Sequence, residues 1–192
     1  KGLHREYLFR GHSDAKWFLR PSFCRLTTQK DPTTALSIER AALDEFSGNA
    51  HRYLDLREFA GLEVFPTNTV EPKWNIDVIN WWMLMQQYGA PTRLLDWSNS
   101  PYVALYFAVN DNPGKDAAVW FFNQNVFNDA VKAIYGDKSD LPRLLDEAVA
   151  PISIPDTPRM LLARLASHHT ERTFKQQDIF TMCSNVFADH EN

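Results

Sequence analysis

The chain has 192 residues, 44% hydrophobic and 13% aromatic, which is enough apolar bulk for one well-formed core. Its net charge of −4 excludes a wholly basic nucleic-acid coat but leaves room for a local basic patch. No apolar run reaches membrane-spanning length and no signal-peptide pattern opens the sequence, so a cytoplasmic domain without membrane contact is expected over residues 1–192.

The abrupt Lys1-Gly2 start and the end at Asn192 read as the boundaries of a fragment of a longer chain. Cys24 and Cys183 are far apart in sequence. Buried reduced thiols are the expectation, and a disulfide stays open. No CxxC, HExxH or acidic calcium loop occurs, so no metal site is expected.

In chain order, residues 6–11 read as a strand running into a glycine turn, continued by His12-Ser13-Asp14. Trp17-Phe18-Leu19 reads as the returning strand, ended at Pro21-Ser22-Phe23. Arg10 stands between large apolar residues and Gly11, which lets another backbone or a ligand approach closely. Arg5, Arg10, Lys16, Arg20 and Arg25 interleave with Tyr7, Phe9, Trp17, Phe18 and Phe23. That pattern suits phosphate contact and base stacking, and equally an ordinary two-faced hairpin.

A polar loop over 27–34 precedes the longest helical pattern, residues 35–56. Its periodicity turns Ile38, Ala42, Leu43, Phe46, Ala50, Tyr53 and Leu54 inward, and Glu39, Arg40, Asp44, Glu45 and Arg52 outward. Residues 59–73 form a connector. Asp77 is the expected N-cap of a mostly buried helix over 78–88, with Gln86 and Gln87 as polar exceptions.

The stretch from Gln87 to Ser98 concentrates punctuation and charge. Gly89 is a helix stop, Pro91 forbids continuation, and residues 92–97 form a short strand. Arg93 and Asp96 then point to opposite faces, and each needs a partner. Ser98-Asn99-Ser100 is a cap cluster, and Pro101 suits the first turn of a nearly all-buried helix near 101–110. Residues 117–122 read as a continuous apolar, central strand. Helices over 125–135 and 141–150 follow, then an extended or looped passage over 151–158; 160–167 stays open between helix and strand, and 179–183 is a strand. Trp17, Trp81, Trp82, Trp97 and Trp120 are expected in the core, and His168-His169 on the surface.

Phe9-Arg10-Gly11-His12-Ser13, Trp17-Phe18-Leu19-Arg20-Pro21-Ser22 and the string Gln87-Tyr88-Gly89-Ala90-Pro91-Thr92-Arg93-Leu94-Leu95-Asp96-Trp97-Ser98 resemble the FRG domain family. Pro101, the run Ala104-Leu105-Tyr106-Phe107-Ala108, Arg172, Gln176-Gln177 and Phe180 extend the resemblance in the family's order. Two positions depart from it: Gln87 stands where the family commonly has histidine, and Asp178 where glycine is common.

More loosely, the order Arg10-Gly11, Ser98 before a helix, and Gln177-Asp178 before a late strand resembles the three motifs of ADP-ribosyltransferases. That resemblance implies an α+β single domain with a twisted, mixed β-sheet split like theirs, flanked by helices. It implies NAD as substrate, held by Arg10, Gly11, His12, Ser98 and Arg93, with Gln177, Asp96 and Ser98 as catalytic candidates. ADP-ribose would pass to a macromolecular acceptor, a nucleic acid base or a protein, in a setting such as bacterial defence or toxin systems. The alternative is a non-catalytic nucleotide or nucleic-acid recognition module using the same cleft.

Overall fold

The computed structural model describes residues 6–26, 31–50, 52, 76–135, 160–164, 178–183, 186, 187 and 190. In chain order it holds β1 (Tyr7–His12), α1 (Ser22–Leu26), α2 (Pro32–Ala50), α3 (Ile76–Gln87), β2 (Leu94–Ser98), α4 (Pro101–Asn110), β3 (Ala118–Asn123), α5 (Gln124–Tyr135), β4 (Met160–Arg164) and β5 (Asp178–Cys183). The fold is α+β. None of the described helices is long and apolar enough to cross a membrane. The expected helix over 141–150, the passage over 151–158 and His168-His169 lie outside the described residues.

The strands form one five-stranded sheet in the order β3-β1-β2-β5-β4. Each of its neighbouring pairs is antiparallel, which corrects the expected mixed sheet. The reason is topological. β2 and β3 run parallel to each other, joined through α4, but β1 lies between them antiparallel to both, so no parallel pair touches.

Pairing along the sheet is uneven. β1 and β3 are aligned from Tyr7 opposite Asn123 to His12 opposite Ala118, and β2 and β5 from Leu94 opposite Met182 to Ser98 opposite Asp178. β1 and β2 meet only at Phe9 opposite Ser98, and then diverge. The antiparallel sheet therefore consists of two well-paired halves joined at one point.

β3 takes the place expected for a returning strand at Trp17-Phe18-Leu19. Both sides of β1 are occupied, by β3 and β2, so residues 13–21 cross as a loop. β3 is also an edge strand rather than the expected central one; β5 holds an inner position instead. Residues 160–164, open between helix and strand in the sequence, pair with β5.

α3 starts at Ile76, so Asp77 lies within the helix rather than capping it. Its end follows the local signals closely. Gly89 adopts φ 82°, Ala90 N–H donates to the Met85 carbonyl at 2.8 Å, and Gly89 N–H donates to the Gln86 carbonyl at 3.0 Å. This is a Schellman closure with glycine in the left-handed position.

The largest core cluster joins α2, α3, β2 and β5 through Leu43, Trp82, Met83, Leu94, Phe180 and Met182. A second cluster, with Leu8, Leu19, Leu95, Trp97 and Ile179, covers the other sheet face.

α2 is rotated from its expected setting. Ile38 is exposed, whereas Glu39 is buried beside Ala35, Leu36 and Leu43. The cause is Arg93, which lies wholly inside the protein. Its Nε donates to Glu39 Oε1 at 2.8 Å, its Nη2 to Glu39 Oε2, and its guanidinium stacks over Trp82 at 4.9 Å. A buried guanidinium requires a carboxylate and α2 supplies it, at the cost of exposing Ile38.

α4 was expected to be nearly all buried. Ala104 and Ala108 are buried, while Tyr102, Leu105, Tyr106, Phe107 and Val109 are exposed. Ser100 caps its N-terminus by accepting from Val103 N–H at 3.4 Å, and Pro101 begins its first turn. The narrow alanine seam lies against β1 so closely that a Cβ on Gly11 would fall 1.8 Å from the Ala104 carbonyl oxygen and 2.7 Å from Ala108 N. Gly11 is thus the residue over which a helix backbone crosses a strand.

Two outcomes follow. Gly11→Ala must displace α4, and is expected to destabilise the fold by about 3 kcal/mol or more, lowering Tm by roughly 6–12 °C in a thermal melt. Glu39→Ala leaves Arg93 buried without its carboxylate, and should cost about 3–5 kcal/mol in denaturant titration.

Candidate functional site

A cleft of about 550 Å³ opens beside the point where β1 and β2 part. Its inner wall is formed by Phe9, Arg10, Gly11 and His12 of β1 with Asp96 and Ser98 of β2. α3 contributes Met83, Gln86 and Gln87; α4 contributes Val103, Ala104 and Phe107; the loop over 13–21 contributes Lys16, Trp17, Phe18 and Arg20, and α1 Arg25.

Arg10 bridges the divergence. Its Nη1 donates to the Asp96 carbonyl oxygen at 2.8 Å, and its Nε donates to His12 Nε2 at 3.0 Å. The Asp96 carboxylate lies 3.8 Å from Nη1. Burial lowers the Arg10 pKa from its ordinary value, and the Asp96 charge opposes that shift. An arginine stays protonated under such a shift.

His12 must accept at Nε2, so the proton sits on Nδ1, which lies 3.3 Å from the Trp17 carbonyl oxygen. Burial and the neighbouring Arg10 push the imidazole pKa down to about 4, so His12 is neutral at physiological pH. It works as a hydrogen-bond acceptor that orients Arg10.

The polar chain continues into α3. Gln86 Nε2 donates to Asp96 Oδ1 at 2.6 Å, and Gln86 Oε1 accepts from Thr92 Oγ1 at 2.5 Å. Thr92 N–H donates to Ser22 Oγ at 3.1 Å, and Phe23 N–H donates to the Thr92 carbonyl at 3.0 Å, which fastens α1 to the start of β2. Ser98 Oγ accepts from Ser100 N–H at 3.1 Å, which holds the turn into α4.

The structure therefore brings Arg10, Gly11, His12, Asp96 and Ser98 to one cleft. It does not bring Arg93 there: that guanidinium, expected among the ligand-holding groups, is buried with Glu39 away from the described wall. Arg93 and Asp96 point to opposite faces, as their spacing requires, and each has its own partner. Gln177 lies outside the described residues. Gly11 lines the cleft, but α4 occupies the space its missing side chain leaves.

Gln86 was missed as a site residue. Its signal was visible as a glutamine pair ending an otherwise apolar helix. Trp17 was assigned to the core, yet it is 44% exposed on the cleft rim. Cys24 and Cys183 are free thiols.

A family model described as FRG domain matches residues 5–117, more than half of the chain. The chain belongs to the FRG domain family. The matched span contains every described residue of the cleft wall except Phe180. The family's Phe-Arg-Gly triplet thus supplies both the bridging arginine and the glycine under α4. Gln87, where the family commonly has histidine, lies on the same wall. No curated protein and no solved structure matches this FRG domain.

The His12 pKa sets a pH dependence. In the unfolded chain this histidine protonates below about 6.5, while in the folded protein it resists until about 4. Its contribution to stability is complete above the higher value and is lost as pH falls toward the lower one. Between these values the wild type should lose unfolding free energy more steeply with falling pH than His12→Gln, as read by denaturant melts at several pH values.

Proposed function

We propose that the cleft binds NAD, and that this FRG domain is an ADP-ribosyltransferase-like enzyme passing ADP-ribose to a macromolecular acceptor. One observation carries the reading. Arg10 is held at the split between β1 and β2 while, among the described residues, its Nη2 hydrogens meet no protein acceptor. A pyrophosphate offers charged acceptors suited to such a guanidinium. The exposed rings of Trp17, Phe18 and Phe107 offer faces for the adenine and nicotinamide. The volume of about 550 Å³ suits a small-molecule site.

Cleavage of the ribose–nicotinamide bond develops positive charge on the sugar, which an anionic group stabilises. Asp96 is the candidate: it is 49% exposed in the cleft and oriented by Gln86. The Ser98 hydroxyl would position the ribose. In this reading Gln177 would orient the ribose or the acceptor. The parting of the sheet into two paired halves beside the cleft supports the reading.

A second reading is a nucleotide recognition module without turnover, and one observation favours it. The Asp96 carboxylate already accepts from Gln86 and faces Arg10, so its charge is partly neutralised before a ligand arrives.

Calorimetry with NAD and chromatography of released nicotinamide separate the two readings. Saturable binding with acceptor-dependent release is expected. Arg10→Lys should weaken binding roughly tenfold or more, because an ammonium cannot reproduce the guanidinium's planar fork. Binding without release under a panel of protein, DNA and RNA acceptors would leave the recognition module, and absence of NAD binding would overturn both NAD readings.

A further inference from the structure

We infer that the macromolecule presented to this cleft is single-stranded nucleic acid, running between the loop over 13–21 and α4. This acceptor class rests on the reading of the cleft as a nucleotide site. Two independent features of the rim point to it.

The first is aromatic. Trp17 and Phe18 are 44% and 62% exposed, side by side on a loop that is fastened down. Ala15 N–H donates to the Asp116 carbonyl at 2.7 Å, Asn112 Nδ2 to Ser13 Oγ at 2.9 Å, and Lys115 Nζ to Asp14 Oδ2 at 2.7 Å. An anchored loop that holds two large rings in solvent is a presented surface, because rings of this size ordinarily bury most of their area. On the facing helix Phe107 is 44% exposed and backed edge-on by Tyr106 at 5.5 Å. The cleft mouth therefore has aromatic faces on both sides.

The second is charge. Lys16, Arg20 and Arg25 stand on the same wall as Arg10, against two carboxylates, Asp96 and Asp111. Among the described residues neither the Lys16 ammonium nor the Arg25 guanidinium forms a close ion pair, although the Lys16 charge acts on the neighbouring Asp14. Burial lowers the pKa values of Arg10 and His12, and the nearby Arg25 charge adds to that shift, so cations lie close together on this wall. A chain that is acidic overall concentrates cations here.

Cations alone would suit an acidic peptide, and aromatic rings alone an apolar one. Their interleaving suits phosphates and unstacked bases together. A duplex keeps its bases stacked and could not use the rings.

The test uses the intact domain without NAD and a fluorescein-labelled, mixed-sequence oligonucleotide of about twelve nucleotides, within the usual span of single-strand sites. Fluorescence anisotropy compares the DNA strand, the RNA strand, the annealed DNA duplex and polyglutamate. Single strands should bind more tightly than the duplex and polyglutamate, the two strand arms telling DNA from RNA. Lys16→Ala and Arg25→Ala should each reduce the slope of log affinity against log salt by about 0.7. Trp17→Ala and Phe18→Ala should each weaken binding roughly 5- to 150-fold with an unchanged circular-dichroism melt.

Equal affinity for duplex or polyglutamate, or no loss in both aromatic variants, would overturn the assignment. So would no binding by any strand. Because NAD is absent, that last result would leave the NAD reading standing, and a failure of NAD to bind would leave the oligonucleotide result intact.

Discussion

Two β-strands that meet at a single pair of residues have little backbone hydrogen bonding to hold them, and Arg10 supplies a further link. It begins on β1 and ends on the Asp96 carbonyl of β2, so the guanidinium substitutes for part of a missing ladder. That position also creates the cleft. Had the strands remained paired beyond Phe9 and Ser98, their hydrogen bonds would have closed the space that ligands could enter. The same residue thus joins the halves of the sheet and lines the opening between them. His12 and Gln86 matter because they hold Arg10 and Asp96 in this arrangement without adding charge.

The second arginine of the family string solves a different problem. Arg93 lies immediately before β2, where a buried cation would be intolerable alone, and α2 turns Glu39 toward it. The two arginines divide the labour around β2. One fixes the helical layer against the sheet, and the other stands at the edge of solvent. Within the motif itself, strand alternation likewise sends Arg93 and Asp96 to opposite environments.

What was legible in the sequence is what depends on nearby residues. The Gly89 helix stop, the Ser100–Pro101 start of α4, the strand at 94–98 and the strand at 178–183 follow from local punctuation and alternation. Arg10 and Ser98 could be placed near one another because each stands beside a break in regular structure. What was illegible depends on residues distant in sequence. The partner of β1 could not be read from the hairpin-like spacing of Trp17-Phe18-Leu19, since β3 competes for the same edge from a hundred residues away. Glu39 looked solvated because periodicity records polarity, not the presence of a buried Arg93. α4 looked buried because it is apolar all round, although only Ala104 and Ala108 of its residues are buried.

The contact between Gly11 and α4 also governs how the protein opens. No side chain separates the helix backbone from the strand there. α4 cannot breathe by small side-chain rearrangements; it remains seated or lifts away as a body. The helix is also a wall of the cleft. Amide protons along this seam are therefore expected to exchange with solvent through an opening that removes the cleft wall as well, which would make the site and this part of the core one cooperative unit. A ligand that grips Phe107 and Arg10 together would slow that opening directly, and its presence would register in the hydrogen exchange of residues it never touches.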